Sequence, residues 1–431
     1  MRIVHVANAY APRSGGIRTA MHALSHEYLA RGHEPVLVVP GPTAAVRWVG
    51  DVRVVQVAAP RVPGVAGYRM VVRPGAVRSV LDALAPDRLE VSDRASLTGL
   101  GLWAREAEVP SLLMLHERLD GVLSAFWPGA GSGARPGGVG HRLAPVVADR
   151  WNLTTLGRFD RLVATTQFAA GEVERLAGRR AGRSAAADGG TRPGRAGTAT
   201  LPPLHRVPLG VDLDRFSPDR FDAALRRQVA PHGEAVVLVM SRLSREKRVD
   251  LAVEAVGRLA ADGVPVRLVV AGSGPRLAGL RERAERLGVP HRFLGFVPDR
   301  DQVAALLASA DVVVAPGPIE TFGLAALEAL ASGTPVVCSA TSALPEVVAT
   351  AGASAAPEPA ALAVAIRDVL TRPAGHRRTV ARARAELFPW SATGSAMLAL
   401  HATPPSVVGM KSPALDRPRP VDFMPTAGGA W

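Results

Sequence analysis

A single cysteine, Cys338, stands among 431 residues, so no intramolecular disulfide framework staples this chain, and a reducing compartment suits it. Aromatic residues make up only 4%, and they are little interleaved with basic ones, which argues against a stacking platform for single-stranded nucleic acid. No Cys/His spacing of the zinc-binding kind and no nucleic-acid-binding module is present. No apolar run reaches the roughly 18 residues that mark a membrane span. The opening MRIVHVANAY reads as a strand and lacks the apolar core and cleavage site of a signal peptide. These absences lead us to expect a cytoplasmic protein, or one attached peripherally to the inner face of the plasma membrane.

What is present is hydrophobic content of 48%, dominated by Ala, Val and Leu and accompanied by much Gly. A chain of this length exceeds what one core holds, so two α/β domains with appendages are expected. The formal net charge of +13 comes mostly from arginine and has three readings: nucleic acid, an anionic lipid surface, or a high-GC genome that favours arginine codons. Enrichment in Ala, Gly, Arg and Pro supports the last in part. With no nucleic-acid partner expected, an anionic nucleotide donor or lipid head group fits the remainder.

In chain order, Ile3 to Ala7 reads as a buried strand, Pro12 to Gly16 as a loop with paired glycines, Ile17 to Arg31 as a helix and PVLVVPG as a second strand. This is a βαβ opening, and parallel sheets bind ligands beyond the carboxyl ends of their strands. Gly15-Gly16 would let backbone approach a phosphate, although tight turns also demand glycine. Strands follow at Val52 to Val57 and Leu89 to Val91, and SLLMLHERLD carries His116 to a strand end with Arg118 and Asp120 beyond it. A histidine there is either a local hydrogen-bonding residue or part of an active-site rim. Residues 127–141 read as a Gly/Pro-rich loop before a helix from Ala144 to Leu156. A helix from Gln167 to Leu176 gives way at 178–200 to an Arg-rich low-complexity insertion that cannot bury a core. Asp212-Leu213-Asp214 matches an Asp-X-Asp metal signature in form only, since it lies at a domain junction without further hard oxygen ligands.

The second domain repeats the pattern. Strand AVVLVMSRL delivers Arg242, and Lys247 follows just before a helix; a planar fork and a point charge at one loop suit a diphosphate, whereas either residue alone would be a solvated basic turn. Gly272-Ser273-Gly274 resembles half of a dinucleotide fingerprint but has Leu277 where a third glycine belongs. The stretch Ala315 to Val337 then combines strand end, loop, helix and next strand. Thr321 is the expected cap and the free N–H groups of Phe322, Gly323 and Leu324 face the loop. Glu320 and Glu328 sit eight residues apart, about 12 Å along a helix starting near Thr321. Gly333 closes the helix ahead of Thr334-Pro335. Taken alone, such a glutamate pair is ordinarily solvated.

Together these segments resemble retaining glycosyltransferases of family 4. The matching stretches are the paired-glycine loop, HERLD, VPLGVDLDRFSP, SRLSREK, VVAGSGP, LLASADVVVAP and ETFGLAALEALASGTPVV. Within that family, VANAYAPRSGGIRTAMH, LEVSDRASL and LMLHERLD look most like the actinobacterial mannosyltransferases that build phosphatidylinositol mannosides. The resemblance implies a GT-B fold, two Rossmann-like domains facing across a cleft. These would be residues 1–210 on the acceptor side and 211–386 for the nucleotide sugar, with 387–401 a final helix returning to the first domain and 402–431 a disordered tail. It implies that Gly15 and Gly16 approach the donor diphosphate while Arg242 and Lys247 grip it. It also implies that Glu320 with Thr321 binds the hexose, that Phe322, Gly323 and Leu324 offer backbone contacts, that Glu328 holds the ribose, and that His116 contacts the sugar. Catalysis would rest on His116, Glu320, Arg242 and Lys247 without metal or cofactor, with GDP-mannose as donor substrate. Arg69, Arg73, Arg118 and Asp120 are candidates for a phospholipid or glycolipid acceptor at an anionic membrane surface. Ser342-Ala343 stands where the family often has paired glycines. Another nucleotide sugar with another glycolipid, glycan or small-molecule acceptor is an alternative, and a basic nucleic-acid-binding protein is the contrasting class.

Overall fold

The computed structural model describes residues 1–8, 10, 15–62, 68–116, 118–120, 123, 139–187 and 201–404. Fourteen strands among them form two sheets. The first holds β1 (Arg2–Ala7), β2 (Glu34–Gly41), β3 (Ala45–Val49), β4 (Val52–Ala58), β5 (Arg88–Ser92), β6 (Ser111–Leu115), β7 (Arg161–Ala164) and β8 (Leu204–Arg206) in the order β3-β4-β2-β1-β5-β6-β7-β8. The second holds β9 (Ala235–Met240), β10 (Val266–Ala271), β11 (His291–Gly295), β12 (Val312–Ala315), β13 (Val336–Ser339) and β14 (Gly352–Ala355) in the order β11-β10-β9-β12-β13-β14. Every pairing is parallel except β3 with β4.

Parallel sheets covered on both faces need strands that are apolar throughout. In β9, Val236 and Leu238 pack in one layer with Leu327 and Leu330, while Val237 and Val239 pack in the opposite layer with Val253 and Val256. Strand order reverses between β1 and β5 in the first sheet and between β9 and β12 in the second. At such a switch the loops leaving adjacent strands diverge and open a crevice at their carboxyl ends. The loops at the two switch points are those with Gly15-Gly16, Arg242 to Lys247 and Glu320 to Gly323.

Several local expectations are corrected. The hairpin strand β3 escapes notice because AVRWV is an edge with Trp48 66% exposed, so it carries no buried run. β14 is the small-residue stretch GASA, held by pairing with β13; a Cβ at Gly352 would lie 1.9 Å from the Val336 carbonyl oxygen. The helix expected from Ala144 begins at Val139 and contains Pro145, and the one expected to stop at Leu176 runs from Gln167 to Ala187. The expected insertions therefore shrink, and their remainders, 127–138 and 188–200, lie outside the described residues, as does 405–431 of the expected tail.

The last helix, Trp390–Ala402, packs on the first domain. Its carbonyl end is a negative dipole pole, and the first domain meets it with cations. Arg161 Nη1 donates to the Leu400 carbonyl at 2.9 Å, and Arg88 Nε donates to the His401 carbonyl at 2.9 Å. At the other end Gly210 touches the helix backbone, with an added Cβ falling 2.5 Å from Trp390 Cα. Gly210→Ala should therefore destabilise the protein by roughly 1–3 kcal/mol. Gly157→Ala, whose Cβ enters open space, should leave denaturant unfolding nearly unchanged.

Candidate active site

The loop from β12 to the helix Leu324–Ala331 brings the candidate residues together. The helix starts at Leu324, later than the expected Thr321, because Gly323 adopts φ +83° and turns the chain at the N-cap position. A side chain there would be strained by that dihedral and would also strike Leu344 Cδ2 at 2.3 Å. No side chain caps the helix, so Thr321 is free for another task. Its hydroxyl donates to the His116 carbonyl at the end of β6. Thr166 returns the contact, its hydroxyl donating to the Thr321 carbonyl at 2.8 Å. The two domains thus meet at Thr321. Ala343 N–H donates to the Glu320 carbonyl at 2.9 Å and fixes the loop from behind, whereas the Phe322 side chain is buried in the core against Phe388.

A second helix N-terminus approaches from the first domain. Gly15 is the N-cap of helix Gly16–Leu29, again without a side-chain cap. A Cβ on Gly16 would lie 3.8 Å from Leu324 Cδ1. Two positive dipole ends thus converge, and further cations lie beside them. Lys247 Nζ stands 2.5 Å from Glu320 Oε2. Arg242 is 3.1 Å from Glu246 Oε1 and stacks over the Tyr68 ring of the first domain at 5.8 Å. Burial pushes Glu246 up, but the Ser244 hydrogen bond and the Arg242 and Lys247 charges outweigh it and hold its carboxyl below the usual range. Gly272 and Gly274, the partial fingerprint, have a packing reason, since added Cβ atoms would meet the Ser241 and Leu243 carbonyl oxygens at 1.8 and 2.4 Å.

Glu328, one turn along the helix, is buried and pairs with Arg300 at 2.5 Å. Burial raises its carboxyl above the ordinary value, against the opposing Arg300 charge. His116 lies across the loop, its Nε2 2.8 Å from Ser92 Oγ. Burial, assisted by the nearby His5, holds its ring down to about 3, which keeps the imidazole neutral at physiological pH. The four acceptor candidates are not assembled into one cluster. Arg69 donates to the Ala59 carbonyl at 2.6 Å and Arg73 is exposed. Arg118 forms a two-pronged pair with Asp120 at 3.0 and 2.7 Å. Asp120 is buried and also receives Arg175 at 3.0 Å, so its carboxylate is held by its own domain.

Residues 221–386 match the model of glycosyl transferases group 1, and residues 15–187 match the glycosyl transferase 4-like domain. The chain is 44% identical over 402 residues to a GDP-mannose-dependent alpha-(1-6)-phosphatidylinositol dimannoside mannosyltransferase of Mycobacterium tuberculosis, covering 93% of this chain and 95% of that protein. The chain belongs to this glycosyltransferase family. A GDP-mannose-dependent alpha-mannosyltransferase of the same species is 27% identical over 342 residues, 78% of each chain. Sucrose-phosphate synthase from Thermosynechococcus elongatus shares the fold at a TM-score of 0.71 and 20% identity, over 93% of this chain and 98% of that one. An alpha,alpha-trehalose 6-phosphate synthase from Burkholderia multivorans does so at 0.68 and 18%, over 93% and 98%. The architecture is GT-B, and the protein is a glycosyltransferase.

Sequence reasoning missed several residues of the glycosyltransferase cleft. Arg300, Thr165 and Thr166 carry no motif of their own, and only the fold brings them to the loop, while Glu246 stands within SRLSREK beside Lys247 but was not singled out. His5 and Glu90 did leave a signal, as ionisable residues inside otherwise apolar central strands.

The neutral imidazoles give a pH prediction. Burial, followed by the Arg18 and His26 charges, lowers His22 to about 4, and His116 is lower still. Unfolded histidines take up protons below about pH 6.5, whereas these two accept them in the fold only near 4 and 3. The unfolded state binds more protons in that window, so stability falls as pH drops through it. Urea unfolding across pH 7 to 4 should show this loss, and His22→Gln should flatten it.

Proposed function

We propose that this glycosyltransferase moves mannose from GDP-mannose to a phosphatidylinositol mannoside, retaining the configuration of the transferred sugar. The observation that carries this reading is the 44% identity, over 93% of the chain, to a protein named for that donor and acceptor class. The site supports the same chemistry. Departure of a nucleoside diphosphate leaves negative charge on oxygen, and preorganised positive groups stabilise it best in a partly dehydrated cleft. Here the uncapped N-termini behind Gly15-Gly16 and Gly323-Leu324 would face the diphosphate together with Arg242 and Lys247, without need of a metal or cofactor. Glu320 would then exchange Lys247 for hydroxyls of the hexose, with Thr321 holding the loop. The backbone of Phe322, Gly323 and Leu324 would lie along the donor, and buried Glu328, freed from Arg300, would accept from the ribose. His116 would contact the sugar from the opposite domain.

For the acceptor we infer a lipid head group met at the cytoplasmic membrane surface, with exposed Arg73 and the Arg118 side chain the remaining candidates and Arg69 and Asp120 supporting the fold. No helix of the described residues is long and apolar enough to cross a membrane. The helix Val139–Thr155 exposes Leu143, Val146 and Val147, with Arg150 also exposed along it. An apolar strip beside a cation suits peripheral contact with anionic lipid.

Donor choice is read by thermal shift, because a ligand that binds only the folded state stabilises it by mass action. GDP should raise the unfolding midpoint more than UDP at equal concentration, and a UDP-specific shift would reject mannose. Glu320→Ala should reduce kcat/KM for transfer at least about tenfold, roughly 1.4 kcal/mol of transition-state stabilisation. Near-normal turnover would remove Glu320 from the donor site.

A further inference from the structure

A line of polar side chains runs beneath the site through the apolar core of the first domain. Strand register pairs His5 with Glu90 and Ala7 with Ser92, so His5, Glu90 and Ser92 share one face of the sheet, since residues two apart in a strand point the same way. Leu112 and Met114 of β6 pack in the layer on that face with Ile3, Tyr28 and Met397, and His116 continues the alternation just past the strand. The contacts are continuous. His116 Nε2 lies 2.8 Å from Ser92 Oγ, which lies 2.7 Å from His5 Nε2. His5 Nδ1 lies 3.0 Å from Glu90 Oε2, an ion-pair contact. The other carboxylate oxygen receives the Tyr28 hydroxyl at 2.6 Å and faces His401 Nε2, on the last helix, at 2.8 Å.

Glu90 is wholly buried. Burial pushes its carboxyl up, but hydrogen bonds from His401 and His5 outweigh this and hold it ionised, well below the usual range. An ionised carboxylate only accepts, and a neutral imidazole donates from one nitrogen while accepting at the other. With a single proton on its ring, placed at Nδ1 toward Glu90 Oε2, His5 accepts at Nε2 from the Ser92 hydroxyl. Ser92, having donated its proton, accepts from His116 Nε2–H. The second nitrogen of His116, Nδ1, is left with its lone pair. We propose that Glu90, His5 and Ser92 are positioning residues that fix the tautomer of His116, so that its Nδ1 enters the site as a hydrogen-bond acceptor for a sugar hydroxyl. His401 and Tyr28 anchor the far end. A carboxylate more than one residue removed from the cleft thereby decides which way the site histidine bonds. The last helix, crossing from the second domain, takes part through His401.

The relay's role in turnover rests on the placement of His116 at the donor sugar, and its geometry does not. In protein labelled with 15N-histidine, long-range proton–nitrogen correlation spectra report the tautomer directly, and His116→Gln identifies the signals of residue 116. The relay predicts the Nε2–H form in the wild type and a mixture of tautomers in Ser92→Ala, with Ser92→Thr restoring the single form. With GDP-mannose as donor, Ser92→Ala should lower kcat about tenfold or more while KM for the donor changes little, and Ser92→Thr should rescue it. An Nδ1–H tautomer in the wild type, or a Ser92→Ala spectrum and kcat matching the wild type, would overturn the proposal. If the wild type transfers nothing from GDP-mannose, the donor assignment fails while the spectra still decide the relay.

Discussion

The contact between Thr321 and the His116 carbonyl is the one on which the cleft depends, because it joins the carboxyl end of β6 in one domain to the loop after β12 in the other. Thr321 can make it only because Gly323, in a left-handed conformation, turns the chain and starts the helix at Leu324. Had the helix begun directly after Thr321, its hydroxyl oxygen would be turned back toward the N–H groups of the first turn instead of across to the other domain. The delayed start also sets the helix's N-terminus where the helix from Gly16 approaches. Local backbone geometry, domain contact and the positive electrostatics of the cleft follow from one residue's dihedral angle.

Around that contact, charges are held in reserve by one another. Lys247 pairs with Glu320, Arg300 with Glu328 and Arg242 with Glu246. A buried or half-buried charge without a partner is costly, and these pairs leave the loop's charges mutually neutralised. A diphosphate can take over the cations and sugar hydroxyls the carboxylates, an exchange of partners that keeps every charge compensated. The raised Glu328 carboxyl shows that this compensation is incomplete at the more deeply buried pair.

Much of this was legible in the sequence. The apolar runs of β9 and β12 are continuous because both faces are covered, and the Gly333-Thr334-Pro335 stop is local chemistry, so the two-domain α/β architecture and the stretch from Ala315 to Val337 could be read directly. The helix start at Leu324 could not, since the left-handed turn at Gly323 answers to Leu344 packing behind it. Arg300 and Thr166 were invisible for the same reason: their significance lies in which strand ends become neighbours. Arg118 and Asp120 read as acceptor candidates or as plain surface charge, but Arg118 pairs locally with Asp120, and tertiary packing adds Arg175 to Asp120. His5 and Glu90, polar in otherwise apolar strands, were the clue most open to notice, and only strand register reveals that they connect.

Mannose transfer to a phosphatidylinositol mannoside is read by incubating the purified protein with radiolabelled GDP-mannose and phosphatidylinositol dimannoside, then separating the lipids. Label is expected in a lipid one hexose larger than the dimannoside, released as mannose by an α-mannosidase. Label that stays in the aqueous phase, or transfer from a UDP-sugar in preference to GDP-mannose, would contradict it.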